Sequence, residues 1–108
     1  MEKPDTNHDI IMQLEGAKTA LQKERIGASG DHERKLTEAI NNIADEIDAI
    51  EAAALADAAY VPKTDPFKQA TADGQAFLKT LNDIRTAVGI AIEAAKAADT
   101  VINIISKF

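Results

Sequence analysis

Between residues 65 and 108, apolar positions recur at alternating intervals of three and four. They are Phe67, Ala70, Gly74, Phe77, Leu81, Ile84, Val88, Ala91, Ala95, Ala98, Ile102 and Ile105. This is an a/d heptad seam, and it predicts one long helix over about 66–107, packed on other helices in the manner of a coiled coil. A second stripe, Leu36, Ile40, Ile43, Ile47, Ile50 and Ala54, predicts a helix over about 31–59. Four isoleucines on one face are tolerated in a helix because burial outweighs their modest intrinsic propensity. A third, narrower stripe of Ile10, Ile11, Leu14, Ala17, Leu21 and Ile26 is interrupted by Lys18 and Arg25 and predicts a helix over about 8–26.

The breaks between the stripes carry their own signals. Thr6 and Asp9 have the spacing of a capping box. Gly27 and Gly30 stop the first helix cheaply, and Ser29 or Asp31 is suited to cap the second. Pro62 and Pro66 cannot lie inside a helix, whereas Asp65 as N-cap with Pro66 at the first helical position starts the third. The expected fold is therefore all-α: an antiparallel bundle or hairpin of three helices. A polar tail, 1–6, precedes a single domain, 7–108. A chain of 108 residues suits one domain with a modest core.

The three helices do not match in length. A continuous third helix folds back near Lys63, so that the residues after Ala98 run past the end of the second helix. At 1.5 Å per residue the overhang is roughly 15 Å. It contains the most apolar part of the chain, and Val101, Ile102, Ile104, Ile105 and Phe108 are expected to form a contiguous exposed patch. Soluble monomers rarely carry such a patch. A break at Asp73-Gly74 removes the mismatch by folding back a short helix over 66–72. The seam stays in phase through Gly74, however, which favours the continuous form and makes those five residues candidates for binding a protein partner or a second copy.

Charge adds a second candidate surface. Residues 1–60 hold thirteen acids and six bases, whereas residues 61–108 hold five acids and six bases, giving the net −6 of the whole chain. No base occurs between Lys35 and Lys63. Glu38, Asp45 and Asp48, with Glu51, form an acidic outer face on the second helix. Acidic runs on helices are ordinarily solvated, and the alternative use is docking a basic partner. Clustered Lys and Arg are absent, so nucleic acid is not an expected partner. With no cysteine, disulfides and thiolate metal sites are excluded. The polar start MEKPDTNHD has neither the basic segment nor the apolar segment of a cleaved secretory signal, which points to the cytoplasm, with export lacking such a signal as the alternative.

Catalytic constellations are sparse. His8 and His32 are the only histidines. Asp31, His32 and Glu33 are consecutive and point in different directions on a helix, so they read as first-turn residues favoured by the helix dipole rather than as metal ligands. There is no phosphate-binding glycine loop, nucleophile elbow or zinc spacing, and no cofactor or metal is expected. Arg85 is expected to pair with Glu46 or Glu51 across the hairpin. Tyr60, Phe67 and Phe77 are expected to pack around the turn. The resulting expectation is a non-enzymatic helical protein that self-associates or binds a protein partner through the apolar C-terminal part of its third helix.

The alternative is a membrane-active or secretion-associated protein, such as a pore-forming component, a secretion chaperone or a toxin-neutralising immunity protein. Lys96 and Lys107 are the only bases after Arg85 to favour anionic lipid, and Glu93, Lys96 and Asp99 interrupt any spanning run. In outline, the acidic hairpin with its Pro62–Pro66 turn and apolar C-terminal helix resembles small secreted helical hairpins. These include Trp-X-Gly export substrates and type III needle subunits. The resemblance implies export, although the chain has no tryptophan and is longer than a needle subunit.

Overall fold

The computed structural model describes residues 5–53, 55–69 and 76–107. The described residues are helical, in five helices that pack together: α1 (Asn7–Ile26), α2 (Gly30–Ala53), α3 (Asp65–Gln69), α4 (Ala76–Arg85) and α5 (Ile92–Ser106). Helix α1 packs against α2 and α5, and α4 packs against α5 and α2, so the four longer helices close a ring. The short α3 lies between α2 and α4. Two ion pairs tie the ends of these helices together. Lys107 Nζ, at the end of α5, reaches Asp5 before α1, and Lys35, near the start of α2, pairs with Asp83 near the end of α4.

Helix α1 starts where the capping box places it. The Asp9 N–H donates to Thr6 Oγ1 at 3.2 Å, and the Thr6 N–H donates to Asp9 Oδ2 at 3.1 Å, satisfying two donors that no helical carbonyl can reach. Its buried face is Ile10, Leu14, Ala17 and Leu21. Helix α2 buries Leu36, Ala39, Ile40, Ile43, Ile47 and Ile50, the expected isoleucine seam. It ends at Ala53, short of the predicted Ala59. Residues 55–60 turn back over the start of α1 instead. There the carbonyls of Ala58 and Ala56 accept from the N–H groups of Asn7 and His8, at 2.9 and 3.1 Å. Alanine favours helix, but these α1 donors need acceptors, and the chain after α2 supplies them.

The continuous third helix is not formed. The segment makes three helices, and the break between α4 and α5 falls at Thr86–Ala91, where the sequence reading placed none. The other expected break, Asp73-Gly74, lies outside the described residues. The Ile90 N–H donates to the Ala87 carbonyl at 3.2 Å, and Gly89 between them has φ +78°, a left-handed conformation that glycine adopts without the steric penalty of a side chain. The break solves the length mismatch directly. Helix α5 folds back along α4 and α1, and its apolar residues enter the core.

The seam changes phase at that break. Phe77, Leu81 and Ile84 are buried as expected, but Val88 is fully exposed and Ala91 is exposed. From there the core takes Ala94, Ala97, Ala98, Val101, Ile104 and Ile105. The three-and-four spacing across residues 84–95 is thus a coincidence of two helices rather than one continuous stripe.

Candidate functional site

Among the described residues one carboxylate is fully buried: Glu46 of α2, on the same helix as the buried Ile43, Ile47 and Ile50. Its Oε2 accepts from the Tyr60 hydroxyl at 2.6 Å and from the Lys63 N–H at 2.9 Å. Its Oε1 accepts from the Thr64 N–H and the Thr64 hydroxyl, both at 2.8 Å. Two donors on each oxygen fill the acceptor capacity of a carboxylate. Burial of the Tyr60 ring, followed by the hydrogen bond and charge of Glu46, pushes the phenol pKa far above its usual value, so Tyr60 remains a donor. The carboxylate clasps the Tyr60–Thr64 turn to α2 and sets the start of α3, where the Lys68 N–H donates to the Thr64 carbonyl at 2.9 Å. Beside it, Phe67 and Phe77 meet with ring centroids 5.3 Å apart. All four donors to the carboxylate come from the chain itself.

The residues singled out from sequence fall in different places. Val101, Ile104 and Ile105 are buried in the chain's own core, and Ile102 is half-buried against it. The contiguous exposed patch expected there is therefore absent, because α5 is covered by α1 and α4. Phe108 lies outside the described residues. Glu38, Asp45 and Asp48 are exposed along α2, and among the described residues none of them forms an ion pair. Arg85 does not reach Glu46 or Glu51. Its Nη1 pairs with Asp99 at 3.0 Å and its Nη2 donates to Asn82 Oδ1 at 2.6 Å, because the turn after α4 brings α5 alongside. His32 Nε2 lies 3.2 Å from Glu24 Oε2. Among the described residues no group of three potential ligands converges on a metal position.

The most exposed apolar side chains lie instead at the end of the bundle opposite the Glu46 clasp, although Met12, Leu55 and Val61 are exposed elsewhere. The α1–α2 turn and the α4–α5 turn meet there. Ile26 is 87% exposed, Ile92 is 73% exposed and Val88 is fully exposed. Ala28 and Ile90, half-buried from the same two turns, anchor them to the core. Glu24 links the pieces: one oxygen meets His32 of α2, and the other accepts, at a long 3.4 Å, from the Ala91 N–H that precedes α5. That contact offers a remote acceptor at the start of α5, which has no side-chain cap of its own.

No family model, curated protein or solved structure matches this chain. The functional reading therefore rests on its own geometry. Among the described residues no helix is long and apolar enough to cross a membrane.

Two of these features escaped the sequence reading. Glu46 flanks the isoleucine seam and looks like one more acid of an acidic helix. The signal for its burial is the turn beyond it, where Lys63 and Thr64 carry N–H groups that need an acceptor, near the only tyrosine. The apolar end was hidden because Val88 was assigned to the seam.

Proposed function

We propose that this chain is a non-enzymatic helical interaction protein, and that its partner is a protein with an apolar contact segment flanked by basic residues. The observation that carries the reading is the bundle end at which Ile26, Val88 and Ile92 project almost completely from two adjoining turns. Three branched side chains left in water on one end of so small a protein form the kind of patch that marks an interaction site. The turns are tied down through Glu24, Ala28 and Ile90, so the surface is preorganised and little ordering opposes binding.

The charge distribution supports the chemistry assigned to the partner. Helix α2 leads away from this end, and along it Glu38, Asp45 and Asp48 remain exposed without ion pairs among the described residues. A basic flank on the partner answers that row and speeds encounter. The non-catalytic assignment rests on Glu46, whose oxygens are already occupied by four donors from the chain itself. The interaction surface is thus moved from the C-terminal part of the third helix to the turns that flank it, since Val101, Ile104 and Ile105 serve the core.

A photo-crosslinking amino acid placed at Val88 in the host cell tests the reading. The expected result is a discrete protein adduct that disappears when Ile92→Ser is added and weakens when Asp45 and Asp48 are changed to Asn. Adducts to lipid alone favour membrane contact instead, and adducts unaffected by either change overturn the proposed surface.

A further inference from the structure

The outward face of α1 is a second surface, and its pattern has a symmetry of its own. Asp9, Met12, Ala20 and Lys23 each project within about 40° of Gly16 at 3.6 residues per turn. Met12 and Ala20 stand four residues on either side of Gly16, and Asp9 and Lys23 stand seven on either side. Met12 is 60% exposed, although it is one of the larger apolar side chains of the helix. Met12 itself lines a groove of about 360 Å³ between α1 and α5, together with Gly16, Ala17, Ala20 and Ala97 and the charged Glu93 and Lys96.

Gly16 has no role within the monomer that its conformation or neighbours explain. It lies in the middle of a 20-residue helix, where glycine is less favourable than alanine. Its φ is not positive, and a β-carbon added there meets no atom within 4 Å. Neither backbone geometry nor intramolecular packing calls for glycine at this position.

We propose that this face of α1 docks against the same face of a second copy of the chain, antiparallel, with the two-fold axis passing at Gly16. In that register, Gly16 faces Gly16 of the partner copy. Each Met12 enters the other copy's notch at Ala20 and Ala97, large against small. Asp9 of each copy meets Lys23 of the other at both ends of the contact, so the charge pairing is satisfied twice. A parallel arrangement instead sets Asp9 against Asp9, Lys23 against Lys23 and Met12 against Met12, with no notch filled. The self-complementarity, with unlike charge at both ends and a knob level with a hole, is what a two-fold interface requires of a single surface. It is what selects a second copy over an unrelated helix. This interface is separate from the bundle end that carries Val88 and Ile92, so the failure of one surface leaves the other standing.

Because the protein has no cysteine, a single introduced thiol reports the axis directly. The full chain carrying Gly16→Cys is expected to oxidise rapidly to a covalent dimer, whereas Glu33→Cys, exposed on α2, stays monomeric under the same conditions. By light scattering coupled to size exclusion, the unmodified chain is expected to show a concentration-dependent monomer–dimer mass. Gly16→Gln is expected to weaken association by about tenfold or more, while helix content and melting temperature of the diluted monomer stay at or above those of the parent. Lys23→Glu sets like charges against each other and is expected to weaken association and to reverse its salt dependence. A parent that remains monomeric at every concentration overturns the proposal. So does a dimer unaffected by Gly16→Gln and Lys23→Glu, or a Glu33→Cys variant that crosslinks as fast as Gly16→Cys.

Discussion

The Tyr60 hydroxyl donates to Oε2 of Glu46 across 2.6 Å, and both side chains are buried. One residue follows α2 and the other lies within it, so the bond fastens the chain's longest irregular connection to the core. Tyr60→Phe removes one of four donors and leaves the carboxylate one bond short. It is expected to destabilise the protein by about 1–3 kcal/mol. Glu46→Gln replaces one oxygen with an amide donor, so that either the Lys63 or the Thr64 N–H loses its acceptor, and is expected to be worse, about 3 kcal/mol or more. Urea unfolding at neutral pH, read as a shift of midpoint at constant slope, measures both. Equal midpoints for Tyr60→Phe and the parent contradict the clasp.

Alkaline pH should unfold the protein through the same residue. The phenol is held above its ordinary value of 10.0, first by desolvation and then by its bond to Glu46. A raised folded-state pKa gives stability that is complete below pH about 10 and is lost progressively above it, as the unfolded chain gains the right to ionise. The chain has a single tyrosine and no tryptophan, so tyrosinate absorbance reports Tyr60 alone. Absorbance and far-ultraviolet circular dichroism are expected to change together, at a pH above that of free tyrosine. Tyrosinate forming while the helices persist argues against the buried bond.

Acid acts on a different set. Asp9 is held below the usual carboxylate value chiefly by its hydrogen bonds to Thr6, Asp31 chiefly by Arg34, and Asp83 chiefly by Lys35. A depressed folded-state pKa gives stability that is present above the unfolded value, here 3.8, and is lost as pH falls through the folded one. Stability should therefore be flat near neutrality and fall below pH about 4. Thr6→Ala breaks the capping box at any pH and is expected to destabilise by about 1 kcal/mol. It should also flatten a small part of the acid limb, because Asp9 loses the Thr6 side-chain hydrogen bond, while the Thr6 backbone N–H still favours its charge. Thermal melts of the parent and variant from neutral to acid pH measure both effects.

Core and surface assignments in the last third of the chain predict opposite outcomes for similar substitutions. Ile104→Ala empties a buried site and is expected to destabilise by about 2–5 kcal/mol. Val88→Ser changes a fully exposed side chain and should leave stability within about 0.5 kcal/mol. If α5 instead extended from α4 as one helix, the order would reverse, so the two melting temperatures side by side decide between the forms.

Local rules served well where the decisive physics is local. The capping box at Thr6 and Asp9 depends on four consecutive residues, and it forms as its spacing predicts. The isoleucine seam of α2 depends on one period within one helix, and those residues line the core. The stop at Gly27–Gly30 needs no more than two glycines, one of them at φ +62°. The start of α3 is offset by one residue from its proline signal, an ordinary uncertainty of helix ends.

Elsewhere the local pattern was degenerate. Helix α5 offers two apolar stripes: one continues the seam of α4 through Ala95 and Ile102, and the other runs through Ala94, Ala97, Val101 and Ile104. Periodicity cannot choose between them. The choice is made by the turn at Gly89 and by the apolar area recovered when α5 folds back onto α1 and α4.

By itself, then, the sequence determined an all-helical chain, the first two helices with most of their core, and the capping box that starts α1. Those features follow from hydrogen bonds and side-chain periods within a few turns. Only the tertiary structure decided where the last third of the chain breaks, which of its apolar faces is buried, and that Glu46 is an internal clasp rather than one more surface acid. Each of those depends on partners brought from a distance: donors 14 to 18 residues away for Glu46, and other helices for α5. A carboxylate or an alanine-rich helix carries no local mark of the neighbours it will meet.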